Sequence, residues 1–404
     1  MRKGEIKKFY FISLGCPKNL TDTEVLMGKL ASLGHTIVAK PSQADMIIIN
    51  TCAFIKAARK EAVQTIKKMK KYRKKIYLAG CLPKTQDLQL VAQDIDGIIN
   101  SMCLPKNCTP RIRATPPWYA YVKIAEGCNN RCSYCLIPKI RGKLRLRKTS
   151  DIVQEVKMLV QKGVKEVIFI AQDTTLHPHL AEILKKSAQI PGLCWIRLMY
   201  AHPAHLTDEV IKVIAQEKKI VKYLDLPIQH ACDKILKRMG RRYERLELEN
   251  LIAKIKRRLP EAALRTSVIV GFPGEGEAEF QKLLDFIKKV KFRHVGAFTY
   301  SKEEGTPAAK MRGQVPAEVK RKRLKRLMQA QACVARELNQ KMIGRTLEVI
   351  IEKVKKEGSI GRSCFDAPEI DGLVFIPHKS LTPGEMVKVR ITGAGTYDLT
   401  GVLT

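Results

Sequence analysis

Long apolar runs are missing from this 404-residue chain. Nothing in it approaches the ~18 apolar residues of a membrane span, and mean hydropathy is −0.16, so an integral membrane protein is excluded and a soluble chain expected. No secretory leader is expected either. The basic start Met1 to Lys8 runs into FYFISL, shorter than the about 7 to 15 apolar residues of a signal-peptide core, and a cytoplasmic location is expected. Acidic residues are scarce: 39 Asp and Glu stand against 74 Lys and Arg, a net charge of +35. That balance rules out an acidic disordered tail and points to polyanions such as RNA, ribosomes or membrane surfaces. Internal repeats and low-complexity segments are absent, and with 45% hydrophobic residues the length implies two or three globular domains.

Cysteine, by contrast, is plentiful. Twelve thiols in a compartment where structural disulfides are not expected read, at ligand spacing, as metal or redox sites. Cys128, Cys132 and Cys135 lie in AEGCNNRCSYC, on one loop directly after the strand-like AYVKIAE. Three thiolates with no nearby fourth suggest a cubane cluster with one iron open to substrate; a zinc knuckle completed by a distant residue is the competing reading. Cys16, Cys52 and Cys81 follow the short apolar runs FYFISLG, MIIINT and IYLAG, which resemble buried parallel strands, with crossover helices expected over 22–33 and 57–69. The carboxyl ends of parallel strands share one edge, where binding sites gather, so these thiols are candidates for a second three-cysteine site. Three ordinary buried cysteines fit the pattern equally well. Cys103, Cys108, Cys194, Cys232, Cys333 and Cys364 share no context and are expected to be free thiols.

The chain reads as an α/β multidomain protein. Residues 1–113 form an open parallel α/β domain, ended by the helix-breaking RATPPW at Arg113 to Trp118. Over 114–342 six strand candidates, AYVKIAE, EVIFIAQ, WIRLMY, KYLDLPI, LRTSVIVG and HVGAFTY, alternate with helical stretches. This predicts a partial (β/α)6 barrel with its site at the carboxyl ends of the strands, where the three-cysteine loop falls. At those ends Gln172, Asp173, Asp225 and Gln229 are candidates for holding cofactor hydroxyls. VIVGFPGE places Gly271 and Gly274 either for close approach of a cofactor adenine or ribose or for a tight strand-to-helix turn. A long basic helix with KRKRLKR follows, and 343–404, with TLEVIIEKV, GLVFIP, MVKVRIT and YDLTGVL, reads as a small antiparallel β-barrel of OB-like type. Lys56 to Lys75 carries ten positive residues and one negative, as a solvated helix face also does.

Together, SLGCPKN, NTCAFI, GCL, IAEGCNNRCSYC, IPKIRGK, IAQDTT, LDLPIQH, VGFPGE and GRSCFDAPEIDG resemble the radical S-adenosylmethionine methylthiotransferases over nearly the whole chain. That family orders an auxiliary-cluster domain, a radical S-adenosylmethionine core and a C-terminal TRAM domain. Within it, SLGCPKN, AQDTT and APEIDG are similar to the RimO branch, which methylthiolates an aspartate of ribosomal protein S-twelve, and differ from the tRNA-modifying MiaB branch. The resemblance implies two 4Fe-4S clusters, one on Cys128, Cys132 and Cys135 whose open iron binds S-adenosylmethionine, the other on Cys16, Cys52 and Cys81. It implies reductive cleavage of S-adenosylmethionine to a radical that takes a hydrogen from the aspartate β-carbon, and delivery of a methylated sulfur from the auxiliary cluster. It also implies an electron donor such as flavodoxin or ferredoxin, a monomeric enzyme, and a substrate met in the context of the small ribosomal subunit and its RNA. Two departures bear on local substrate contacts: LHPHL follows IAQDTT in place of a longer Tyr-Gly-containing loop, and Leu146 stands where a small polar residue is usual.

Charge separates this reading from a tRNA methylthiotransferase and from a non-catalytic iron-sulfur RNA-binding protein. Residues 343–404 hold eight basic and eight acidic residues, so the whole +35 lies in 1–342. A domain that grips RNA is expected to be basic. Asp366, Glu369 and Asp371 of APEIDG predict instead an acidic docking surface for a basic protein.

Overall fold

The computed structural model describes residues 6–102, 104, 105 and 109–404, so the expectation for Cys103 and Cys108 falls outside the described residues. The first body comprises β1 (Lys8–Ser13), α1 (Pro17–Ser32), β2 (Thr36–Ile37), β3 (Met46–Thr51), α2 (Lys56–Met69), β4 (Lys75–Gly80) and β5 (Gly97–Ile98). Its strands pair in parallel in the order β2-β1-β3-β4-β5. β3, MIIINT, is buried at every residue, as a central parallel strand covered on both faces must be. α1 starts at Pro17, five residues before the expected 22, because proline is preset for a helix's first turn and its missing N–H costs nothing there. Cys16 thereby occupies the cap position of the helix.

The second body contains β6 (Tyr119–Lys123), β7 (Ala125–Glu126), α3 (Ile137–Arg141), β8 (Arg145–Leu146), α4 (Thr149–Gln161), β9 (Glu166–Ile170), α5 (Leu180–Ala188) and β10 (Trp195–Leu198). It continues through α6 (Asp208–Gln216), β11 (Ile220–Asp225), α7 (Asp233–Met239), α8 (Arg245–Arg258), β12 (Ala263–Val270), α9 (Glu277–Val290) and β13 (His294–Thr299). Six of these strands make the expected open parallel sheet, β13-β12-β11-β10-β9-β6. Alternation sorts their side chains. Val122, Val167, Phe169, Ile196 and Leu264 pack with the helices, while Tyr119, Tyr121, Ile168, Trp195 and Tyr223 line the concave face.

The basic helix α10 (Ala317–Gln340) packs along α9 and β13. β14 (Thr346–Lys355), β15 (Gly358–Ser363), β16 (Val374–Ile376), β17 (Met386–Ala394) and β18 (Leu399–Leu403) then close a small barrel in the order β14-β15-β16-β18-β17. It differs from the expected one in two ways. β15, GSIGRS, has no apolar alternation; it pairs with β14 because Gly361 has no Cβ to strike Val349 and the Ile350 carbonyl. The β16–β18 pair is parallel, so the barrel is not wholly antiparallel.

The small barrel covers the amino ends of the large one's strands, and Tyr119, Trp195 and Tyr223 share a buried cluster with Leu347, Val349, Phe365 and Val374. Glu166, first in β9, is held by Arg197 at 2.8 Å and by Arg362, which also pairs with Glu352 at 3.0 Å. This docking removes Asp366 and Asp371 from the acidic surface expected of APEIDG and leaves Glu369 on it. Asp366 is buried, accepting from the Ser363 hydroxyl and lying 3.4 Å from His294. Asp371 accepts from Tyr223 OH (2.7 Å) and Ala367 N (2.9 Å) and faces Arg265 at 3.5 Å, and Glu369 accepts from Tyr119 OH (2.9 Å). The tyrosine, arginine and histidine of the barrel floor draw Asp366 and Asp371 inward, where they pin one body to the other, while Glu369 stays exposed at the rim and accepts from Tyr119. Among the described residues no helix is long and apolar enough to cross a membrane.

Candidate active site between two thiol triads

The chain leaves β6, passes β7 and enters the loop of Cys128, Cys132 and Cys135 at the carboxyl edge of the sheet. Gly127 stands at φ +78°, and a Cβ there would overlap the Lys143 carbonyl; glycine lets the loop fold back so that Cys128 N donates to Gly142 O (3.2 Å). The loop's middle is fixed from outside: Ser133 N donates to Met239 O (2.9 Å) and its hydroxyl to Arg238 O (2.7 Å). Arg241 donates to Pro227 O (2.7 Å), Tyr243 OH (2.7 Å) and the Cys132 sulfur (3.6 Å), which brings a positive charge against the thiols. Amides of Asn130 and Ile137 donate to the Cys128 and Cys135 sulfurs, each at 3.4 Å. Burial pushes the Cys135 thiol up to about 12 and raises Cys128, so a metal bound here must displace their protons.

Topology assembles the second triad. β1, β3 and β4 are neighbours, and Cys16, Cys52 and Cys81 follow their carboxyl ends directly or within three residues, on one edge. Cys81 N donates to Thr51 O (2.8 Å), and Gly15, at φ +90°, lies so near Cys52 that a Cβ would fall 2.6 Å from the Cys52 Cβ. Asn19, fully buried in the first turn of α1, ties the strand ends by donating to Leu14 O (2.9 Å) and Thr51 O (3.0 Å). Its carbonyl oxygen lies 3.8 Å from the Cys81 sulfur and accepts from Arg141. Burial pushes the Cys81 thiol up to about 11 and raises Cys52, with Arg141 pulling both the other way.

Arg141 joins the two sites. It ends α3, just past the Cys135 loop, and pairs with Glu126 (2.8 Å) and Asp22 (3.2 Å), while Lys123 pairs with Glu126 (2.6 Å) and Asp22. Burial alone would raise the Glu126 carboxyl, but Lys123 and Arg141 hold it down at about 2. Two cations and two carboxylates, sealed from solvent, thus lock α1 to the start of the barrel, with one thiol triad on either side.

In neither triad do all three sulfurs come within single-ion spacing of one another. Tetrahedral zinc, with bonds of about 2.3 Å, holds its sulfurs roughly 3.8 Å apart. Among the described residues the ligand atoms that gather within 4.8 Å belong to Asp173, His202 and His205, not to either triad. At least one sulfur pair in each triad therefore lies more than 4.8 Å apart, and three thiolates without a fourth have the donor chemistry of a cubane, in which each binds a different iron, so the residues fit two iron-sulfur clusters. Asp173 accepts from Asn130 Nδ2 (2.8 Å) and the Thr175 hydroxyl (2.7 Å) and faces His205 at 2.8 Å, so its carboxylate steadies the cysteine loop.

The other candidates divide. Gln172 donates to Glu126 (3.1 Å) and leaves its own carbonyl oxygen buried without a partner. Asp225 is buried and accepts from Tyr200 N (2.9 Å) and Arg265 (2.8 Å). Gln229, at φ +67°, bridges by its backbone to Ser267 and Ile269. Gly271 and Gly274, both with positive φ, face the side chains of Lys320 and Arg238, and Gly271 N donates to the buried Glu275 (2.9 Å); the tight turn accounts for both. Asn19, Glu126, Arg141 and Arg241 carry no signal in spacing, although Asn19, Glu126 and Arg141 lie inside the SLGCPKN, IAEGCNNRCSYC and IPKIRGK segments.

A six-stranded parallel partial barrel whose first strand feeds three closely spaced thiols at the carboxyl edge defines a radical S-adenosylmethionine protein. Residues 122–287 match the model of the Radical SAM superfamily, 8–100 that of Uncharacterized protein family UPF0004, and 343–403 that of the TRAM domain. The protein of Pelotomaculum thermopropionicum named ribosomal protein uS12 methylthiotransferase RimO is 42% identical over 98% of both chains. Its namesake in Caldanaerobacter subterraneus subsp. tengcongensis is 43% identical over 96% of this chain and 98% of its own. The chain belongs to the RimO methylthiotransferase family. Among solved structures, the radical S-adenosylmethionine methyltransferase TsrM of Kitasatospora setae shares the fold, with a TM-score of 0.57 over 81% of this chain and 89% of its own at 11% identity.

Proposed function

We propose that this protein is a radical S-adenosylmethionine methylthiotransferase that adds a methylthio group to the β-carbon of an aspartate in ribosomal protein uS12. The observation that carries this reading is the pair of three-thiol sites flanking one buried charge cluster, in a chain of the RimO family. Cys128, Cys132 and Cys135 would hold one 4Fe-4S cluster and with it S-adenosylmethionine; Cys16, Cys52 and Cys81 would hold the other. When bound, these groups supply the one-electron reduction, the hydrogen-abstracting radical and the sulfur. The chain orients and seals. Gln172, with its unpartnered buried carbonyl oxygen, is the acceptor for a donor group on the cofactor, and Gln229 is a second contact at the same edge. Asp173 and Asp225 position the loop and Tyr200. The Asp22, Lys123, Glu126 and Arg141 cluster keeps water out between the bodies.

Domain boundaries near 113 and 342 agree with this division of labour. Lys60, Lys67, Lys68 and Arg73, exposed along α2 and its following turn, have no carboxylate partner among the described residues, which favours a substrate met beside RNA in the small ribosomal subunit. We read the enzyme as cytoplasmic and monomeric, reduced by a protein such as flavodoxin or ferredoxin. The test is mass spectrometry of uS12 and of bulk tRNA from cells with and without this protein. A methylthio group lost from the uS12 aspartate is expected; one lost from tRNA with uS12 unaltered would overturn the reading.

A further inference from the structure

Seven lysines and arginines are buried among the described residues, and six of them, Lys123, Arg141, Arg147, Arg197, Arg323 and Arg362, have a carboxylate within ion-pair distance. The seventh is Lys18. Its ammonium rests on the face of Tyr200, 3.3 Å from the ring centre. Tyr200 is itself held in left-handed backbone at φ +61°, costly for an aromatic residue, by hydrogen bonds from its N–H to Asp225 (2.9 Å) and from Thr174 N to its carbonyl (3.1 Å). Lys18 comes from the first body, two residues after Cys16, and Tyr200 from the carboxyl edge of the barrel. Of the acidic groups whose field reaches Lys18, the Cys16 thiol counts most and is a ligand candidate of the auxiliary cluster, and the two carboxylates are engaged elsewhere, Asp225 by Arg265 (2.8 Å) and Glu126 by Lys123 (2.6 Å) and Arg141 (2.8 Å).

Burying an ammonium with no counter-ion is among the costlier things a fold does, and here a strained tyrosine is fixed beneath it. We infer that Lys18, backed by Tyr200, receives the side-chain carboxylate of the aspartate to be modified. The inference rests on the functional reading above. An aromatic floor holds one side of the ammonium without supplying a carboxylate, so a charge-assisted pair with a carboxylate is still to be made. Gripping that carboxylate presents the adjoining β-carbon to the groups on either side. The methionyl end of S-adenosylmethionine carries the same carboxylate chemistry, and the anionic auxiliary cluster is another counter-ion, so the test separates all three.

The experiment uses the reconstituted two-cluster protein and measures its affinity for uS12 and for uS12 with asparagine at the target position, free and within small ribosomal subunits. The wild type is expected to prefer the aspartate form by about tenfold or more, the worth of one hydrogen bond to a charged group. Lys18→Gln should bring that preference to within about twofold, and Lys18→Arg should keep most of it. Iron content and the Kd for S-adenosylmethionine are read on the same samples. Loss of about half the iron in Lys18→Gln would assign the ammonium to the auxiliary cluster, and a raised Kd for S-adenosylmethionine with the aspartate preference intact would assign it to the cofactor. Either result overturns the inference, as does a wild type with no preference or a Lys18→Gln that keeps it. A wild type that neither binds nor modifies uS12 in any form instead sinks the functional reading.

Discussion

The two thiol triads are built by opposite means. Cys128, Cys132 and Cys135 sit on one loop, shaped by Gly127 and braced from outside by Met239, Arg238 and Arg241. Cys16, Cys52 and Cys81 are far apart in sequence and meet because β1, β3 and β4 are adjacent parallel strands. The first site depends on a local turn, the second on strand order, on Asn19 and on the interdomain lock through Arg141. Damage to the docking of the two bodies should therefore reach the second site before the first.

The widest break in that comparison comes from removing the ligands. Cys128, Cys132 and Cys135 changed together to Ala should halve the iron and abolish both reductive cleavage of S-adenosylmethionine and methylthiolation. The same change at Cys16, Cys52 and Cys81 should halve the iron and abolish methylthiolation yet leave cleavage measurable, since the two sets of thiols do not share a loop. Full iron retained in the second variant would show that these thiols are not ligands. Arg141→Gln comes next. It leaves Asp22 and Glu126 buried with one cation between them, a loss of about 3 to 5 kcal/mol for a broken buried pair. Urea unfolding followed by iron release should show the auxiliary site lost first. Arg362→Gln, at the other interface, breaks a like-sized cluster with Glu166 and should loosen the small barrel with no early loss of iron.

The same contrast explains what the sequence disclosed. The compact loop announced itself by spacing alone. The dispersed triad was half visible: three apolar runs ending at cysteines imply strands, but which strands are neighbours is fixed by tertiary pairing. APEIDG misled at Asp366 and Asp371 because acids in a Pro-containing loop look solvent-facing, and the partners of these two, Tyr223, Arg265 and His294, lie on strands far away in the chain. β15 was hidden because GSIGRS has two glycines and no apolar alternation. Lys18 was hidden because lysine is ordinarily exposed, and nothing local marks a buried one.

A finer cut uses the glycines. Gly127→Ala places a Cβ on the Lys143 carbonyl and keeps a positive φ, a strain of about 1 to 3 kcal/mol confined to the cysteine loop. Gly15→Ala drives a methyl at Cys52, 2.6 Å from its Cβ. Each should lower occupancy of its own cluster, read by iron content and by electron paramagnetic resonance after reduction, and leave the other filled. A Gly15→Ala protein lacking both clusters would show that the two sites fold as one unit.

The smallest effect sharpens the comparison most, because it leaves both clusters in place. Each triad has its own arginine: Arg241 donates to the Cys132 sulfur at 3.6 Å, and Arg141 acts on Cys81 and Cys16. A positive donor beside an anionic cluster stabilises its reduced form, which carries one more negative charge, so removing the donor makes reduction harder. Arg241→Gln should move the midpoint potential of the Cys128 cluster negative by on the order of 60 mV, a tenfold change in a one-electron equilibrium. Arg241→Lys, which keeps the charge but not the fork to Pro227 and Tyr243, should move it less. The potential of the Cys16 cluster should stay where it is in both variants. Potentiometric titration followed by electron paramagnetic resonance resolves the two signals, and equal shifts of both clusters in Arg241→Gln would mean that the triads share one electrostatic environment and that the contrast drawn between them is wrong.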